Sequence, residues 1–224
     1  MIIKVNETME LMIKKGNAKP LPPFLWIVSM QSSTDCICRT ELNCCEIGED
    51  CYGLAYESNP MMHKTVTRRR RDEEAIDWLV ENEMHEWFAD EIVRRNRLSR
   101  SHKIRFLRWN ETGDCKTLEH LCFVDDVAEL LGQKLGIHSV IYTHRRDLYE
   151  EFKKARTQSR WLIINGSGFR ADNHFQAVTE HTDEGIPCSS NCVKCFDEFG
   201  TGHCYKHTAE RIDELFRQNK RKDA

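Results

Sequence analysis

No apolar run in this 224-residue chain approaches the roughly 20 residues needed to cross a bilayer. The N-terminus lacks an uninterrupted apolar core and a small-residue cleavage site, which predicts a chain without a secretory leader, working in the cytoplasm. Charge of one sign is scarce too. The 33 Lys and Arg against 36 Asp and Glu leave a net charge of −3, which excludes a general electrostatic footprint for nucleic acid. No repeat and no low-complexity tract is present. What remains is an ordinary folded chain, long enough for one good-sized domain or two small ones.

Cysteine is the exception. Eleven thiols, an odd number in a reducing compartment, argue against a disulfide scaffold and for a metal. Cys36, Cys38, Cys44, Cys45 and Cys51 crowd the stretch "DCICRTELNCCEIGEDCYG". Cys188, Cys192 and Cys195 follow a C-x3-C-x2-C spacing, and Cys204 lies shortly after. Cys115 and Cys122 are isolated and read as small hydrophobes.

The pattern along the chain predicts alternating strands and helices. Residues 1–23 form a peripheral lead-in, 24–207 a single α/β domain, and 208–224 a helix that frays into charge. Within the domain, strands are expected at 24–30, 103–110, 138–144, 160–168 and 174–181. Between them lie a long helix at 72–98 capped by Asp72, an amphipathic helix at 118–136 ended near Gly136, and a short helix at 146–156. Strand–helix alternation implies a mainly parallel sheet, because a parallel return needs a crossover. About five strands are too few for a closed eight-stranded barrel, so an incomplete β/α barrel or an open sheet is expected.

In such folds the functional groups gather at the C-terminal ends of the strands. Both cysteine groups then fall on one edge of the sheet. Four thiolates suit zinc or an iron–sulfur cluster. An iron–sulfur site is the leading reading; a zinc-bound loop is the alternative, and unligated thiols come third. Cys204 or Cys51 is the candidate fourth ligand, with His203 and His207 as substitutes. Arg108 suits a carboxylate or phosphate, or an external ion pair. Asp114 suits a ligand or the cap of the following helix. Asn165 and Gly166, in "NGSGF", offer backbone amides to an anion or form a plain turn. His85 lacks the second histidine of a zinc-protease helix and reads as a surface residue. The basic run 68–71 is a solvated segment before a helix, or a nucleic-acid patch with Trp78 or Trp109.

The C-x3-C-x2-C run resembles the radical S-adenosylmethionine signature, although Lys194 stands where that motif has an aromatic residue and the run follows the last strand. More broadly, "CCEIGEDCYG", "IRFLRWNETGDCKTLEHL", "SVIYTHRRD" and "CSSNCVKCF…YKH", in that order, resemble the phage and plasmid family known as gene product 88. Trp109, Thr112, Cys115 and His144 depart from its pattern; Gly113 and Asp114 keep it. The resemblance implies an iron–sulfur protein on a radical-enzyme-like partial barrel, acting in the host cytoplasm, with S-adenosylmethionine as a possible cofactor. It carries over Arg108, Asp114 and Thr143 as catalytic candidates and Cys51, Cys188, Cys192 and Cys195 as metal ligands.

Overall fold

A computed structural model describes residues 1–15, 24–36, 54, 57–167, 169–175, 177–178 and 207–208. Strands β1 (Ile2–Lys4), β2 (Glu10–Lys15), β3 (Leu25–Val28), β4 (Phe106–Trp109), β5 (His138–Thr143), β6 (Leu162–Ser167) and β7 (Asn173–Phe175) form one sheet whose spatial order is the chain order. β1, β2 and β3 pair antiparallel, and β3 through β7 pair parallel. The sheet is open. Helices α1 (His63–Glu81) and α2 (His85–Leu98) connect β3 to β4, α3 (Leu118–Leu135) connects β4 to β5, and α4 (Arg146–Ala155) connects β5 to β6. A separate parallel pair joins β8 (Ala177–Val178) to β9 (His207–Thr208).

Crossovers between parallel strands are right-handed, and here every one advances the sheet in the same direction, so the helices fall on one face. The packing agrees. Trp26, Val28, Leu107, Trp109, Ile141, Leu162 and Ile164 point into the main core with Ile76 and Leu79 of α1, Phe88 and Ile92 of α2, Val124 and Leu131 of α3, and Phe152 of α4. The alternate strand residues Leu25, Ile27, Phe106 and Val140 form a second buried cluster to which no described helix contributes. Both faces of the sheet are therefore apolar, as expected for parallel strands.

Four expectations are corrected. The lead-in supplies β1 and β2, because Ile3, Leu11 and Ile13 alternate with more exposed residues and bury fully in the core that β3 shares. The long helix is two, and the first begins nine residues early. Asp72 is no cap: it is buried mid-helix, where its carboxylate accepts from Met12 N at 2.7 Å and Arg68 Nε at 3.0 Å. The break falls where Asn82 Nδ2 donates to Trp78 O and Glu83 takes φ 53, diverting the backbone from helical bonding. Residues 174–181 do not make one strand, since Asn173–Phe175 joins the main sheet and Ala177–Val178 the small one. The terminal helix lies outside the described residues, except Thr208, which belongs to β9.

Gly136 ends α3 as its spacing indicated, with φ 67 and its N–H on Gly132 O. Gly132 has a different duty. A Cβ there meets the Trp161 ring at 2.0 Å, so the indole packs directly on the helix backbone. Gly132→Ala is expected to cost about 1–3 kcal/mol by overpacking, or more if Trp161 leaves its site. Gly136→Ala, with open space around its Cβ, should cost only the left-handed penalty of about 1–2 kcal/mol. Urea unfolding of the two variants checks the order.

Candidate functional site

The loops at the C-terminal ends of β3, β4 and β5 meet around buried polar groups. Glu57 is the first. Its Oε2 accepts from Ser32 Oγ and from Thr34 N at 3.1 Å, and its Oε1 from Thr112 Oγ1 at 3.0 Å and from Arg69 Nη1. Burial pushes this carboxyl upward in pKa, but the donors Ser32, Thr34 and Arg69 outweigh burial and hold it below the usual range. Arg69, 1% exposed, also donates to Glu111 at 2.6 Å, and Lys14 closes the network on Glu111 at 2.7 Å. Sequence reasoning missed Glu57, because nothing local marks a lone acid 21 residues past Cys36.

Arg69 also changes the reading of the basic run. Residues 68–71 lie within α1; Arg68 pairs with Asp72, Arg69 with Glu57 and Glu111, and Arg70 with Asp35. Trp109 is fully buried in the core. The patch proposed for nucleic acid therefore loses Trp109 and has three of its four arginines ion-paired, while Trp78 stays half-buried.

Asp114 is the second buried acid. Gly113, at φ 73 and with a Cβ position only 2.7 Å from Gln31 O, lets the β4–α3 loop press onto the loop after β3. Asp114 Oδ1 accepts from Cys115 N at 2.7 Å and Oδ2 from His144 N at 2.6 Å, and the Thr143 hydroxyl also bonds to it. Burial raises its pKa. Asp114 does not cap α3, whose N-cap is Thr117. It latches the end of β4 to the end of β5, and Arg145 reinforces the latch by donating to the Cys115 and Lys116 carbonyls. Asp114 and Thr143 come together, yet they are 4% and 3% exposed. Nearby, Ser167 Oγ lies 3.2 Å from His144 Nε2.

Arg108 and Asn165 occupy the other face of the sheet. Arg108 Nε donates to Asn110 O at 3.0 Å, and its guanidinium lies over the Tyr142 ring, 4.9 Å from the centroid. Among the described residues no carboxylate pairs with it. Asn165, in register with Tyr142, is fully buried. Neither its Nδ2 nor its Oδ1 has a partner among the described residues. Residues 165–167 are the end of β6 rather than a turn. Gly166 is needed because a Cβ would meet Phe169 O at 2.3 Å.

Cys36 is half-buried at the exit of β3, Cys115 is buried, and Cys122 packs partly against the core. Cys38, Cys44, Cys45, Cys51, Cys188, Cys192, Cys195, Cys204 and His203 lie outside the described residues. Among the described residues no His, Cys, Asp and Glu group is arranged to hold a metal. β3 leads to Cys36, Glu57 bonds to the loop after β3 on the same edge, and β7, parallel to β3, also ends on that edge at Phe175. His85 lines a separate 530 Å³ cleft with Asp125, Asp126 and Arg156, whose charges pair with one another. No described helix is long and apolar enough to cross a membrane.

Comparison with protein-family models, curated proteins and solved structures gives no match.

Removing one partner of a buried ion pair strands the other charge. Arg69→Met is expected to destabilise the fold by about 3–5 kcal/mol, and Glu57→Leu in the same chain to restore part of that loss, as measured by urea unfolding. The charges of Lys14 and Arg69 overcome burial to hold the Glu111 pKa at about 2, against an ordinary 4.5. A depressed acid contributes stability above its unfolded pKa and loses it as pH falls toward its folded one. Unfolding free energy should therefore drop between about pH 4.5 and about pH 2, and drop less in Glu111→Gln.

Proposed function

We propose that the chain is an iron–sulfur protein on an incomplete β/α barrel, its cluster held at the C-terminal rim by Cys188, Cys192, Cys195 and either Cys204 or Cys51. The observation that supports this reading is directional: β3 and β7 run parallel and end on the same edge of the sheet, and the two cysteine-bearing segments follow them in sequence. Strands in chain order, helices on one face and a buried apolar second face also favour a curled, barrel-like sheet over a doubly wound one.

Distances permit the meeting. Four strand spacings separate β3 from β7, about 19 Å along the sheet. The chain between Phe175 and Cys188 spans about 40 Å when extended. The early segment starts beside β3 and the late one has ample reach, so a shared site needs no distortion of the sheet.

The donor set is soft and anionic, which suits Zn(II) or iron–sulfur and not a hard cation. Three thiolates from C-x3-C-x2-C leave one iron of a [4Fe–4S] cluster open, the arrangement that admits S-adenosylmethionine and its reductive cleavage. Cys204 or Cys51 as a fourth ligand gives a closed cluster, for electron transfer or structure. This chain's own residues supply the platform: Glu57 and Arg69 pin the return of the early segment, and Asp114 fixes the rim between β4 and β5. The second reading, a zinc-stabilised module that binds nucleic acid or a host protein, shares the thiolates, but the internal pairing of residues 68–70 removes much of its contact surface.

Protein purified without oxygen should show a thiolate-to-iron absorption band and about four irons and four sulfides per chain. Cys188→Ser, Cys192→Ser and Cys195→Ser should each lose it. Retention in Cys204→Ser with loss in Cys51→Ser identifies the early segment as the fourth donor. Colourless protein with one zinc per chain overturns the iron–sulfur reading in favour of the zinc module.

A further inference from the structure

On the face to which no described helix contributes, at the C-terminal end of the strands, two polar side chains keep hydrogen-bonding capacity unused among the described residues. Asn165 is fully buried with both amide functions unbonded among the described residues. Buried polar side chains are nearly always hydrogen-bonded, so a buried amide that makes neither bond calls for an explanation. Arg108, one strand beyond Tyr142, is half-buried, and its one described hydrogen bond, from Nε to Asn110 O, leaves the outer nitrogens of the fork to other acceptors. Tyr142 sits between them: its ring carries the guanidinium at 4.9 Å, and its backbone is in register with Asn165. Asn110, held left-handed at φ 62 and 2% exposed, has an unpartnered Nδ2 beside the carbonyl that fixes Arg108. Strain in a non-glycine residue and unmet buried hydrogen bonds are features that collect at ligand sites.

The rest of this face is apolar. Ile27, Val140 and Ile163 lie one row below, in register across β3, β5 and β6 with Arg108 among them. A ligand for the seat therefore needs three features: an anion for the planar fork of Arg108, a donor and an acceptor close together for Asn165, and an apolar part for the floor. One guanidinium, with a neutral amide as its companion, matches a monoanionic carboxylate better than a dianionic phosphate. An amide group supplies one acceptor and one donor, the complement of what Asn165 presents. Arg108 and Asn165 lie two strands and two residues apart, about 12 Å between backbones, and the guanidinium over the Tyr142 ring closes part of that gap to the length of one small molecule.

We infer that the Arg108–Tyr142–Asn165 face seats a small carboxylate that carries an amide and an apolar group, the chemistry of an N-acylated amino acid or a peptide C-terminus. The seat contains no metal donor, so the inference holds whether or not the thiolates bind iron. In the iron–sulfur reading it is the substrate position, one face of the sheet below the rim.

The test is calorimetric titration of the full chain with N-acetylleucine, with N-acetylleucinamide and inorganic phosphate as comparison probes, together with melting curves of two variants. N-acetylleucine should bind one per chain, and the amide, which lacks the carboxylate, at least about tenfold more weakly. Arg108→Met should weaken N-acetylleucine by about tenfold or more. Asn165→Leu should abolish binding and melt no lower than the parent, because it removes an unpaired buried amide without leaving a hole. A purely structural Asn165 requires the opposite, so a lower melting temperature or failure to fold in Asn165→Leu overturns the inference. Equal binding of the acid by Arg108→Met overturns it, as does absence of binding by the parent. Arg108-dependent binding of phosphate in place of N-acetylleucine overturns the carboxylate assignment. Repeating the titration in Cys192→Ser separates the two readings: retained binding without a metal supports the seat on its own, and binding lost only with the metal removes its independence.

Discussion

A buried carboxylate, Glu57, is the constraint on which the rim of this protein depends. It holds the loop after β3, helix α1 and the loop after β4 through Ser32, Thr34, Arg69 and Thr112. A charge buried to this depth is tolerable only when its lone pairs are occupied and a counter-charge is near. Both conditions are met by side chains from segments distant in sequence, so the network forms only when all of them are in place. Buried ion pairs of this kind serve specificity of arrangement more than net stability. Here the arrangement is the return of the chain after residues 37–53 to the same edge from which it departed.

The second constraint is topological. Parallel strands laid down in chain order place the described helices on one face, and no described helix contributes to the buried cluster on the other. That division sorts the candidate residues. Asp114 and Thr143 belong to the helix side, where a latch between loops is what the structure requires. Arg108 and Asn165 belong to the other side, where the described residues engage only Nε of Arg108 and neither amide atom of Asn165. One set positions the rim, and the other faces whatever lies against the sheet.

Much of this order was legible in the residues. The alternation of Leu107, Trp109, Val140 and Ile141 with their flanking helices marked the parallel core, and Gly136 marked the end of α3. The start of α1 was hidden because its buried stripe runs through Arg69 and Asp72, charged residues that periodicity counts as solvent-facing. The division between α1 and α2 was hidden for the converse reason: Leu79 and Phe88 face one core, so the apolar pattern continues across the break. Strands β1 and β2 are short, and β2 joins the main sheet only through β3. Arg108, singled out through the family resemblance, and Asn165, through the "NGSGF" stretch, both lie near strand ends. The partners of Asp114 and Glu57 depend on register and loop approach, which no local pattern encodes.

The central claim is that the early and late cysteine segments share inorganic cargo at one rim. Alkylation rates of individual thiols, mapped by mass spectrometry before and after chelation of anaerobically purified protein, test it most directly. The account predicts that Cys51 becomes reactive together with Cys188, Cys192 and Cys195 when the metal is withdrawn. Early thiols that react at one unchanged rate, with and without the metal, would contradict it.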